Sequence, residues 1–75
     1  KKQDFILGLV EEMELETPIT LDTNIKNIDE WDSMNAMILI GFVSDNFGVT
    51  LTSNDLEKIS TIESIIEIIG IEKFE

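Results

Sequence analysis

The sequence predicts an all-α fold: a small four-helix bundle, three main helices and one short one, with a long loop between helices 1 and 2. Three observations carry this prediction. Apolar residues recur at helical spacing in three separate stretches. Capping residues precede the later stretches, at Asp32-Ser33 and at Ser60-Thr61, and a glycine closes each, Gly48 and Gly70. The isoleucine-dense last stretch suits a strand on propensity alone, but its i, i+3, i+4, i+7 spacing, its cap and its terminal glycine decide for helix. With 75 residues, the chain reads as one domain, 1–75, of marginal stability.

In order, Gln3 to Leu15 reads as the first helix. Phe5, Ile6, Leu9, Val10 and Met13 form its buried face, and Glu11, Glu12 and Glu14 lie on the wet side. Thr17-Pro18 lies at or beyond its end, because the residue before a proline disfavours helical geometry. From Glu16 to Asp32 no period is sustained. Ile19, Leu21, Ile25, Ile28 and Trp31 are spaced along this stretch so as to pin it across the core, and a connection of this length is often functional.

The second helix runs from about Ser33 to Phe47, capped by Asp32 or Ser33 and ended by Gly48. Leu39, Ile40, Val43 and Phe47 make one apolar stripe; Met34, Met37, Ile38 and Gly41 make another. A helix apolar on two sides needs two covers. The short third helix is capped by Thr52 or Ser53, with Leu56 and Ile59 inward, and the fourth spans about Ile62 to Ile69.

Composition excludes much chemistry. The chain has no Cys, His or Tyr, its five basic residues are all Lys, and sixteen acids give a net charge of −11. Thiolate, imidazole and disulfide chemistry are therefore out, and Ser33 has no base to make it a hydrolase nucleophile. Such charge repels nucleic acid and anionic membranes and favours basic protein partners. The sequence holds no membrane span and no signal-peptide pattern. The expectation is a cytoplasmic monomer.

The informative stretch is Trp31-Asp32-Ser33-Met34. An N-terminal serine on a helix is ordinarily a cap. Here its hydroxyl lies where unpaired amides and the helix dipole favour a phosphate, with apolar Met34 and Met37 following. In a chain without thiols, any thioester chemistry has to arrive on a prosthetic group. Asp22-Thr23-Asn24-Ile25 through Trp31-Asp32-Ser33-Met34 to Phe47, and on through Leu51, Asp55 to Ile62 and Gly70, resembles the acyl carrier proteins.

The resemblance implies that Ser33 carries 4′-phosphopantetheine, transferred from coenzyme A by a phosphopantetheinyl transferase that Asp32 helps to engage. It further implies an acyl or aminoacyl thioester, an acyl- or aminoacyl-activating ligase and a downstream acyltransferase or synthase as partners, and no catalytic residues in the chain itself. Fatty-acid carriers are strongly acidic on the exposed face of the second helix. The corresponding residues here are Ile38, Gly41, Ser44 and Asp45. With Trp31 before the Asp-Ser pair, this resembles carriers of specialised pathways more than the housekeeping type.

Met34, Met37, Ile38 and Gly41, with Asp45 beyond them, thus form either core or an apolar docking face for a dedicated partner. Trp31 is either packing or a wall beside the arm's root. Asp22, Asp29, Glu30 and Asp32 suggest calcium, but Lys26, Asn27 and Ser33 break the EF-hand pattern, so no metal site is expected. The alternative function is a small acidic helical interaction domain without a covalent cofactor.

Overall fold

Capping side chains set the starts of three of the four helices, and a glycine ends two of them. The computed structural model describes residues 1–74. Its order is α1 (Lys2–Glu12), a 3-10 turn (Ile25–Asn27), α2 (Ser33–Phe47), α3 (Ser53–Lys58), α4 (Ile62–Ile69) and a closing 3-10 turn (Ile71–Phe74). Among the described residues there is no strand, only one isolated bridge, Asn24 to Thr61, and no helix is long and apolar enough to cross a membrane.

The caps resolve the alternatives left by the sequence. Asp32, not Ser33, caps α2, its Oδ1 accepting the Asn35 amide at 2.8 Å. Thr52 and Asp55 form a reciprocal capping box on α3. Thr61 caps α4 by accepting the Ser64 amide. Gly48 ends α2 at φ +68°, a left-handed conformation that costs glycine nothing.

Both ends of α1 differ from the sequence reading, the start by one residue, at Lys2 rather than Gln3. Helix α1 stops at Glu12 rather than Leu15. The Glu14 amide donates to Glu11 O and the Leu15 amide to Val10 O, at 3.3 and 3.0 Å, with Glu14 at φ +53°. That pairing is a Schellman stop with glutamate where glycine is usual. Met13 and Leu15 are nonetheless buried, so the apolar pattern continues past the helix itself.

The core gathers Phe5, Ile6 and Leu9 of α1, Leu39 and Val43 of α2, and Ile62, Ile65, Ile66 and Ile69 of α4. Leu51 and Ile59 close it around α3, whereas Leu56 is half-buried. Gly8 lets α1 and α2 approach closely: a Cβ there would lie 2.5 Å from Cζ of Phe42. Phe5 also meets Phe47 and Phe74, at centroid distances of 5.8 and 5.3 Å. The turn after Gly70, which the sequence pattern does not reveal, thus carries a core residue.

The long connection is fastened rather than free. Ile19 and Ile25 are buried. The Ile25 amide donates to Ser60 O, and the first amides of α4, Ile62 and Glu63, donate to Thr23 O and Leu21 O. Lys26 Nζ donates to Glu57 O at the end of α3. The middle of the loop is a strap across the α3–α4 corner, and its carbonyls satisfy the amides that a helix start leaves open.

Candidate functional site

The start of α2 is braced by Glu30, three residues before it, and by Asn35 in its first turn. Glu30 reaches back across the loop: its carboxylate accepts the amides of Glu16 and Thr17, at 2.9 and 3.2 Å, and the Thr17 hydroxyl at 2.8 Å. The Glu16 amide first, and then the Thr17 hydroxyl, hold the Glu30 carboxyl below its ordinary range. Asn35, buried on the inner side of α2, donates from Nδ2 to Glu30 O at 2.8 Å. Both ends of the long loop and the first turn of α2 are thereby tied together.

Ser33 is the first residue of α2 and is exposed. Among the described residues, the amides of Ser33 and Met34 have no hydrogen-bond partner, while Asp32 occupies the Asn35 amide. The beginning of α4 differs, because loop carbonyls and Thr61 take its first three amides. Open amides beside an exposed hydroxyl can accept an anionic ester at that hydroxyl.

Met34 and Met37 are 72% and 71% exposed. Gly41 and Asp45 are exposed as well, and Ile38 is half-buried at the edge of the core. At 3.6 residues per turn all five fall on one side of α2. The two methionines are thus not core, and this side of α2 is a surface. Trp31 is half-buried and packs against the core, as a packing residue would.

A groove of about 370 Å³ opens between the end of α1 and the start of α2. Met13, Met34 and Ile38 supply apolar lining; Asp32 and Asn35 supply polar lining. Glu12, Glu14 and Glu30 complete it. Among the described residues, no three carboxylates are grouped to hold a metal ion.

Asn35 was not legible as a site residue, and Glu30 was legible only as one of the acids weighed for calcium. The only signal was a polar residue at an otherwise apolar helical position, with an acid five residues earlier.

A family profile described as "Phosphopantetheine attachment site" matches residues 5–69, from α1 to the last turn of α4. No curated protein and no solved structure matches the chain. The residues present suit that group, since an exposed serine stands at a helix start with unclaimed amides. With most of its length covered, the chain belongs to the phosphopantetheine-binding carrier family, whose members hold 4′-phosphopantetheine covalently on a serine.

Proposed function

We propose that Ser33 is that serine, and that the chain is an acyl carrier protein presenting an acyl or aminoacyl thioester to partner enzymes. The observation that carries this reading is an exposed serine hydroxyl at a helix start whose first amides are unclaimed. The other serines fit less well. Ser60 and Ser64 are half-buried and hydrogen-bonded near the start of α4. Ser44 lies within α2, and Ser53 opens a six-residue helix already capped by its own box.

In the modification, Ser33 Oγ forms a bond to the phosphorus bearing pantetheine in coenzyme A. The pyrophosphate P–O bond breaks, the adenosine bisphosphate leaves, and the hydroxyl proton passes to a base of the transferase. When bound, the arm supplies the thiol that this cysteine-free chain lacks. Asp32 is the acidic neighbour that the transferase meets. Met34, Met37, Ile38, Gly41 and Asp45, with Trp31 at the edge, are the docking surface for the ligase and the downstream acyltransferase or synthase. Methionine suits such a surface because it repacks easily. The sparse charge on this side favours a specialised pathway.

The chain itself catalyses nothing in this reading and works as a cytoplasmic monomer. Intact mass after incubation with coenzyme A, Mg²⁺ and a promiscuous phosphopantetheinyl transferase provides the test. One added phosphopantetheine is expected, absent in Ser33→Ala. Addition that survives Ser33→Ala, or none with any of several transferases, refutes the assignment and favours a plain interaction domain.

A further inference from the structure

We infer that Asn35 is a positioning residue for the modification of Ser33: its buried side-chain amide holds the backbone of Glu30 and so fixes the first turn of α2, which presents the serine hydroxyl. The inference rests on Ser33 being the attachment point and deepens that reading.

Asn35 stands where a core residue belongs. Asn35, Leu39 and Val43 follow one another at four-residue spacing on one side of α2, and all three are buried. Among the described residues, Asn35 is the one polar side chain in the buried set. Burying an amide is unfavourable unless it is hydrogen-bonded, and asparagine is a poorer helix former than leucine. Packing and propensity therefore give no reason for it. The bond it makes does, since Nδ2 donates to Glu30 O at 2.8 Å. A carbonyl only accepts. Of the three side chains with this branching, Asn, Asp and Leu, only asparagine supplies a donor at neutral pH.

That bond closes a ring through the site. The chain runs from Glu30 through Trp31, Asp32, Ser33 and Met34 to Asn35, whose side chain joins back to the carbonyl where the ring began. The amides of Ser33 and Met34 have no partner among the described residues, so the helix itself holds this turn from one side only. Two bonds secure it. Asp32 Oδ1 accepts the Asn35 backbone amide at 2.8 Å, and the Asn35 side chain fastens the turn to Glu30. Glu30 is in turn fixed by its carboxylate to the amides of Glu16 and Thr17. Ser33 is thereby referenced to the loop as well as to its own helix.

This reference bears on the transfer step. There Ser33 Oγ bonds to phosphorus as the pyrophosphate P–O bond breaks; the adenosine bisphosphate leaves and the hydroxyl proton passes to a base of the transferase. An oxygen misplaced by about 1 Å can slow such a step by about a hundredfold. The exposed side of α2 is untouched by Asn35, so docking of the transferase is a separate matter.

The test follows transfer of phosphopantetheine from coenzyme A by a promiscuous transferase with Mg²⁺, read by intact mass, with kcat and KM for the carrier determined separately. Asn35→Leu keeps the branching and the backbone amide that Asp32 accepts, and removes only the side-chain donor. Its kcat should fall by about ten- to a hundredfold, with KM within about twofold of wild type. Val43→Ala, in the same buried stripe, should lower Tm and keep the wild-type kcat at a temperature where it is folded, which separates positioning from stability. If circular dichroism shows Asn35→Leu unfolded, Asn35→Ala, smaller and also without the donor, carries the same expectation. A folded variant with wild-type kcat, or with a raised KM alone, overturns the inference and leaves the carrier assignment standing. If the wild-type protein is never modified, both fall.

Discussion

Glu30 carries more of the site's geometry than its place in an irregular loop suggests. Its carboxylate takes three hydrogen bonds from Glu16 and Thr17, and its carbonyl takes one from Asn35. Its native pKa is lowered, so its contribution to stability is complete above the unfolded glutamate value of about 4.3. That contribution is lost as pH falls through the lowered native value. Glu30→Gln should therefore unfold more readily at neutral pH, and its urea midpoint should change less than wild type between pH 6 and 3. Equal changes in the two proteins would refute the role. At this scale Asp32-Ser33 was readable as a helix start and the methionines as part of an apolar stripe. Whether that stripe was core or surface stayed open in the sequence, and the structure shows Met34 and Met37 exposed. The Glu30–Asn35 brace was not readable, since its acceptor is a backbone carbonyl that any residue possesses.

Helix α1 shows how a boundary escapes a sequence reading. Its apolar spacing continues through Met13 to Leu15, both buried, although the helical hydrogen bonding stops at Glu12. The stop is made by Glu14 at φ +53°, and glutamate gives no hint of a left-handed terminator. A non-glycine residue there costs about 1–2 kcal/mol, partly offset on substitution by the greater unfolded freedom of glycine. Glu14→Gly is accordingly expected to stabilise the protein by about 0.5–1 kcal/mol, read from the urea midpoint; a fall in midpoint would contradict the Schellman assignment. Helices α2 and α4, by contrast, obey their caps and glycines at both ends, and their ranges agree with the sequence prediction. The closing turn lay beyond any pattern, because Phe74 is one residue and periodicity needs several.

For the whole molecule, charge opposes compactness. The net charge is −11, and among the described residues one side-chain ion pair forms, Lys2 with Glu63, and it is solvent-accessible. Pairs of this kind contribute little, so self-repulsion remains the larger electrostatic effect. Raising NaCl from 20 to 500 mM should increase Tm, by about 4–8 °C for each kcal/mol of repulsion screened. A Tm indifferent to salt would show that the charges are already balanced in the fold. Helix number and order were legible at this scale; the strap was not, because its backbone bonds leave no trace in side-chain type. Those bonds join Leu21 and Thr23 to Glu63 and Ile62, partners more than half the chain apart. Winding the helices is local and quick, but that union demands closing a wide circuit first, at an entropic cost set by its length. The barrier to assembling this helical protein therefore lies in its least helical segment.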